Sequence, residues 1–517
     1  DHRFLVGDLT LHGRAEPLDV THFFPFIDRY GQFVHVDWPG KIHADEDFAR
    51  NLELEATELS AQPSTADRSR FGGWSAGPRF EATGYFRPLK HEGHWWLVDP
   101  EGYLFWSHGI DCVNTNYGTG LPDRETYYAD LPASDDPLGQ FYGQSTWGGA
   151  NSYYSGRTPF RTYNHRQANL WRKYGADWPD DFADLAHQRL RSWGFNTIAN
   201  WSDPAVYLQR RTPYAAAVWI GAPQLEGSQG YWRKFHDVYD PGFRQTVREA
   251  LATRQTEATD PWCIGFFVDN ELAWGDETNL GTATLLSPPQ QAAKQVFIGQ
   301  LRAQYGTIDA LNAAWSTRHA SWQALTDHRE APPETAGSRA DLIAFTDSTA
   351  RTYFRTIKQE LAALAPEQLY LGVRFAWQND VVVRAAIDYC DVVSFNRYQY
   401  SIADVALPDD ADHPIIIGEF HFGATDRGMF HPGLRAARDQ AHRGELYADY
   451  VRGALTNPLI VGTHWFQYGD QSTTGRGDGE NYNIGFLSIA DVPYPKMVEA
   501  ARDVGAQMYS LRSGTHP

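Results

Sequence analysis

The sequence predicts an α/β protein of the (β/α)8 TIM-barrel class with a short β-rich lead-in at its N-terminus. Three observations predict it. Short apolar runs, each long enough for one buried strand, recur eight times along the chain and mostly alternate with stretches of helical periodicity. Two of those runs stop abruptly at a carboxylate: Cys263–Val268 leads into Asp269, Asn270 and Glu271, and Ile415–Ile417 leads to Glu419. In a parallel barrel, side chains at the C-terminal ends of the strands form the active site. The rival doubly wound sheet lacks its signature, since no GxGxxG opens a helix here.

Taken in order, residues 1–100 read as a β-rich N-terminal segment packed on the barrel, and 101–517 as the barrel itself. RFLVGDLTLHG alternates apolar and polar residues. LELEATEL reads as helix, and YFRPLKHEGHWWLVDP as a hairpin turning at His91–Gly93. Strand one is Tyr103–Val113. A long connection over 114–165, containing Trp147, is placed to wall a cleft. A helix is expected near 179–193, where Phe182, Leu185, Ala186, Leu190 and Trp193 repeat at helical spacing and Gly194 stops it. Strands two to four are Phe195–Trp201, Tyr214–Ile220 and Cys263–Val268. Helical stretches follow at VFIGQLRAQYG, DALNAAW and TARTYFRTIKQELAAL. Leu369–Phe375, Val392–Phe395, Ile415–Ile417 and Leu459–Trp465 complete the eight strands. Between the last two, Leu446, Tyr447, Tyr450, Val451 and Ala454 share one helix face, and a helix near 497–510 closes the chain.

Composition narrows the function. Aromatics make up 14% of the 517 residues, with 18 Trp, which suits either a large core or the apolar faces of sugar rings. A formal charge of -19 argues against nucleic acid and anionic membranes as partners. It also disfavours a heavily sulfated polysaccharide unless a local patch overrides the net sign. No apolar run approaches the roughly 18 residues of a membrane span. Cys112, Cys263 and Cys390 fall on or beside predicted strands and read as buried thiols, not as a disulfide or metal set. No cofactor is expected. The chain starts at Asp1 and not Met, so removal of a signal peptide or an earlier domain is expected, and with it a secreted or periplasmic location.

Two glutamates at strand ends are what retaining glycoside hydrolysis requires. Glu271 is the candidate general acid/base, which needs a pKa raised by burial and by the second carboxylate. Glu419 is the candidate nucleophile, which must stay ionised among donors. Tyr398, His421 and Arg374 are candidates to supply those donors or positive charge, His421 and Arg374 reading equally as structural ion-pair members. Asn270 is placed to bond a sugar hydroxyl next to the scissile bond. Trp465, ending strand eight, reads either as the floor under a sugar ring or as the top layer of the barrel core. Asn114, Asn200 and Trp201, at the ends of strands one and two, are candidate sugar contacts. GRGDGENYNIG, with a third carboxylate at Glu480, is placed to cover the site.

At these residues the chain resembles the clan A glycoside hydrolases, matching Asn270-Glu271 after strand four, Glu419 after strand seven, Tyr398 after strand six and Trp465 after strand eight. More narrowly it resembles glycoside hydrolase family 50, the β-agarases. That resemblance rests on GQFVHVDWPGKIHADEDF, WWLVDPEGYLFWSHGID, WGFNTIANWSDP, FFVDNELAWG, IIIGEFHFG, GTHWFQYGDQ and GENYNIGF. It implies retaining cleavage of β-1,4 linkages between galactose and 3,6-anhydro-galactose, often exo-acting, with release of neoagaro-oligosaccharides such as the disaccharide. Family agarases usually carry a β-sandwich before the barrel. Here the shorter stretch before strand one makes short soluble oligosaccharides the expected substrates. DALNAAW also resembles barrel β-galactosidases, so a galactosidase acting on another galactan is the alternative. A sugar-binding barrel without turnover is a further one.

Overall fold

Runs such as CIGFFV and IIIGEF carry no polar face, so they are stable only where both faces are covered. That is where they lie in the structure, a computed structural model that describes residues 22–149 and 152–514. The alternating segment RFLVGDLTLHG lies outside the described residues. Eight parallel strands form one sheet: β1 Ser107–Ile110, β2 Thr197–Ile198, β3 Tyr214–Val218, β4 Cys263–Val268, β5 Leu369–Tyr370, β6 Val393–Asn396, β7 Ile415–Phe420 and β8 Ile460–Trp465. Their order is β5-β4-β3-β2-β1-β8-β7-β6, each paired in parallel with its neighbours. Phe375, just past β5, bridges in parallel to Phe395 of β6 across the remaining seam. Every residue of β4, β7 and β8 is buried.

Helices surround this sheet, among them two not expected from the sequence, Phe243–Ala252 and Asp380–Tyr389. Trp178–Ser192 follows β1, Phe243–Ala252 follows β3, Asp380–Tyr389 follows β5 and Gln440–Thr456 follows β7. The last of these turns Tyr447, Tyr450, Val451 and Ala454 inward. After β4 the chain makes short helices with their own apolar cluster around Phe297, Trp315 and Phe345. It then enters the 29-residue helix Ala336–Leu364, started by a Thr335–Ser338 capping box. Pro495–Ser513 closes the chain. The three cysteines are free and buried.

Two additions frame the barrel. Arg87–His91 and His94–Val98 form the expected hairpin, joined by Leu104–Phe105 into a three-stranded antiparallel sheet. Its turn residues Glu92 and Gly93 both have positive φ, the geometry of a tight hairpin turn. This sheet sits against the chain entering β7 and β8: the Trp95 indole donates to Asp412, and Trp95 N donates to Pro458 O. It therefore lies at the end opposite the predicted site. Helix Glu46–Ala61 is tied in by a buried ionic network. Its Glu55 accepts from Arg189 and Lys173, and both of these also bond Asp491, which is also bridged by Arg166.

At the other end, the long connection 114–165 folds into a second small antiparallel sheet of Thr119–Gly120, Tyr142–Ser145 and Phe160–Tyr163. It is fastened to the loop after β8. Thr119 Oγ1 donates to Gly475 O, Arg124 Nη1 to Thr474 O, Ser472 Oγ to Tyr117 O, and Gly149 N to Gly477 O.

Candidate active site

The C-terminal ends of the strands surround a cleft of about 1270 Å³. Several residues at this rim leave the extended conformation for positive φ: Cys112, Trp201, Asp269, Glu271 and Arg374. Such backbone costs roughly 1–3 kcal/mol each where the residue is not glycine, and it recurs at functional sites. Of these, Cys112, Trp201 and Glu271 line the cleft, whereas Asp269 and Arg374 lie buried behind it.

Glu271 sits at the end of β4, 9% exposed. Its Oε1 accepts from Asn396 Nδ2 at 2.8 Å, and its Oε2 from the Trp232 indole at 2.7 Å. Burial, reinforced by the charge of Glu419, pushes its carboxyl up to about 7 against the opposing bonds from Trp232 and Asn396 and the charge of Arg374. Glu419, in β7, is held by positive and neutral donors. Arg374 Nη2 donates to Oε1 at 2.6 Å, the Trp201 indole reaches the same oxygen at 3.3 Å, and Tyr398 OH donates to Oε2 at 2.5 Å. Burial and the neighbouring carboxylates push the Tyr398 phenol well up, so it stays a donor. Both glutamates are buried, but Glu271 has two neutral donors, whereas Glu419 has a guanidinium as well as two neutral donors.

Arg374 organises this floor. It is fully buried, with Nε donating to Asn270 Oδ1 at 2.9 Å and Nη2 shared between Glu419 and Asp111 Oδ2 at 3.1 Å. Asn270 Oδ1 also accepts from Asn396 at 3.3 Å, which orients the amide so that its NH2 is left for a ligand. Aromatic rings line the walls. Trp201 stacks on Trp219 at 5.2 Å, and Tyr231 lies 6.0 Å from Trp377. Trp219, Tyr231, Trp377 and Trp147 are each more than 40% exposed.

Comparison with known proteins gives the family. A solved exo-β-agarase is 35% identical and superposes with a TM-score of 0.91, over 97% of this chain and 75% of that one. The structure of PfGH50B is 32% identical with a TM-score of 0.88, over 96% of this chain and 76% of that one. The chain belongs to glycoside hydrolase family 50. β-Agarase B of Vibrio sp. (strain JT0107) is 36% identical over 96% of this chain but 55% of its own length, so the family 50 chain spans about half of that relative. A family model described as β-galactosidase, glycoside hydrolase family 42, matches residues 199–417.

Within this family 50 chain, Glu271, Glu419, Asn270, Tyr398, Arg374 and Trp201 come together as described. Asn114 also borders the cleft, but its Nδ2 donates to Trp201 O at 2.7 Å and its Oδ1 accepts from Asn116 N at 2.9 Å. It therefore props up the Trp201 backbone. Of the two readings of Trp465 the barrel-core one fits, and the roles expected of His421 and Asn200 need correction. Trp465 does not floor the cleft: it is wholly buried among Phe420, Tyr447 and Phe486, with its indole donating to Ile484 O. Phe466 borders the cleft in its place. His421 supplies no positive charge or donor to Glu419. Its Nδ1 bonds Phe466 O, its Nε2 accepts from Leu434 N, and burial drives its pKa down to about 3. Asn200 is 1% exposed and lies outside the cleft lining.

The Glu480 carboxylate borders the cleft too, paired with Arg476 at 2.8 Å and with Gln471 at 2.8 Å. Sequence reasoning passed over Asn396, Trp232 and Asp111. Asn396 ends β6 and Tyr398 lies beyond the strand, so no strand periodicity links the two. Nothing in the sequence around Trp232 marks it.

Proposed function

We propose that this chain is a retaining, exo-acting β-agarase that releases neoagarobiose from agarose chain ends or from neoagaro-oligosaccharides. The observation that carries this reading is the contrast between the two strand-end glutamates. Glu271, whose carboxyl burial and the charge of Glu419 push up to about 7, is suited to give a proton. Glu419, gripped by Arg374 and Tyr398, is suited to attack as an anion. Glu419 adds to the galactose anomeric carbon while Glu271 protonates the departing O4 of the anhydro-galactose. This leaves a galactosyl ester on Glu419. Glu271, now ionised, takes a proton from water, which displaces the ester and restores the β configuration. The Asn270 amide NH2 is available to a hydroxyl of the reacting sugar, and the exposed Trp and Tyr rings to its apolar faces.

Family membership supports the agarose assignment, and the relative described as an exo-β-agarase supports exo action. So does the joining of loop 114–165 to the loop after β8, which walls one side of the cleft. On this reading 101–517 is the catalytic barrel, the partner is a saccharide and the location is outside the cytoplasm. Azide rescue with an activated aryl neoagarobioside tests the glutamate roles. Glu271→Ala plus azide gives a β-glycosyl azide, and Glu419→Ala plus azide gives the α-anomer. The same anomer from both variants, or full activity in either without azide, rejects the assignment. The match of residues 199–417 to β-galactosidases favours a second reading, action on another β-galactan. Turnover of such a galactan with none of neoagaro-oligosaccharides would select it.

A further inference from the structure

Asp269 precedes the Asn270-Glu271 pair, yet its carboxylate faces away from the cleft and is wholly buried. It collects donors from three directions. Oδ1 accepts from Ile220 N at 3.0 Å and from Arg233 Nη2; Oδ2 bonds His236 Nε2 at 3.0 Å and accepts from Tyr353 OH at 2.8 Å. Ile220, Arg233 and His236 all belong to the connection after β3, and Tyr353 to the helix Ala336–Leu364 behind it. Arg233 Nη1 also donates to Ile220 O at 2.7 Å, and its guanidinium lies 5.1 Å over the Trp219 ring. One carboxylate thus pins both ends of the connection from Trp219 to His236. Trp232, next to Arg233, is the residue whose indole donates to Glu271.

We infer that Asp269 is a positioning residue for acid/base catalysis: through Arg233 it holds the Trp232 indole on Glu271, and so sets the pH at which Glu271 gives up its proton. The inference rests on the reading of Glu271 as the acid/base. An indole N–H bonded to the carboxylate favours the ionised form, so losing that bond raises the carboxyl pKa. The groups facing Glu271 are Glu419, Arg374, Tyr398 and Tyr231, with Asn396 as the second donor. Those facing Asp269 are Arg233, His236, Tyr353 and Tyr370. Removal of a nearby negative charge would by itself lower the Glu271 pKa. The positioning role therefore predicts a shift opposite in sign to the through-space effect of the same substitution.

The test is the alkaline limb of kcat/KM on neoagarohexaose for the wild type, Trp232→Phe, Asp269→Asn and the double variant. Trp232→Phe is expected to move the limb up by about half a unit or more. Asp269→Asn moves it the same way, and the double variant moves no further than Trp232→Phe alone. A downward or absent shift in Asp269→Asn, or full additivity in the double variant, overturns the inference. If Asp269→Asn does not fold, Arg233→Lys is read in its place, with the same upward shift expected and the same outcomes overturning it. Glu271→Gln serves as a control. Retained activity there removes the acid/base reading and this inference together, whereas loss of activity there with no limb shift in the other variants removes the inference alone.

Discussion

The Tyr398 hydroxyl stands 2.5 Å from Glu419 Oε2, while Arg374 holds the other carboxylate oxygen at 2.6 Å. Each oxygen of the proposed nucleophile therefore has its own strong donor. Tyr398→Phe removes one of them without changing the shape of the site. A hydrogen bond to a charged group contributes about 1.5–3 kcal/mol. The variant is expected to lose about 10- to 100-fold in kcat with its melting temperature nearly unchanged, measured by reducing-sugar release and thermal unfolding.

Glu271 links function to stability. Its folded-state pKa of about 7 lies above the ordinary 4.5, so the fold favours the protonated form. The stability this group contributes is full below 4.5 and is lost as pH rises through about 7. Glu271→Gln escapes that loss. Its melting temperature is expected to exceed the wild type at pH 8, with the gap opening between pH 4.5 and 7 and closing below. A pH series of thermal unfolding checks this.

Buried charge also ties the N-terminal helix to the barrel. Burial alone would raise the Asp491 carboxyl, but Arg189 and Lys173 overcome it and hold the group well below the usual carboxylate range. Its contribution is therefore present above the unfolded pKa and is lost as pH falls through the lower folded one. Arg189→Met leaves Glu55 and Asp491 without their main partner. It is expected to destabilise by about 3–5 kcal/mol, read from the denaturation midpoint.

Trp465 and Tyr398 should behave oppositely. Trp465→Ala opens a hole among Phe420, Tyr447 and Phe486. It is expected to cost about 3–5 kcal/mol of stability. At temperatures where the variant stays folded, KM should change little. A KM rise without destabilisation would return Trp465 to the cleft floor.

The contrast shows what the sequence could reveal. Eight apolar runs were legible because a strand buried on both faces has no polar alternation to hide it. Asn270-Glu271 and Glu419 were legible because each breaks such a run abruptly. Position after a strand does not say which way a side chain turns, so Trp465 stayed open between cleft floor and barrel core, and His421 was expected beside Glu419. In β8, His464 points inward to Ser107, which sends Trp465 outward. His421 follows Glu419 by two residues, yet the Phe466 carbonyl and the Leu434 amide claim both its nitrogens. Trp232 was invisible because its meeting with Glu271 depends on how a long loop folds back, and no local periodicity encodes that.

The most direct test of the central claim is time-resolved proton NMR of neoagarohexaose digestion. A retaining exo-agarase gives neoagarobiose as the earliest disaccharide, with its new reducing galactose first in the β configuration and the α-anomer growing in only by mutarotation. First appearance of the α-anomer would contradict the double-displacement roles of Glu271 and Glu419. Early release of neoagarotetraose without a matching disaccharide would contradict exo action by neoagarobiose units.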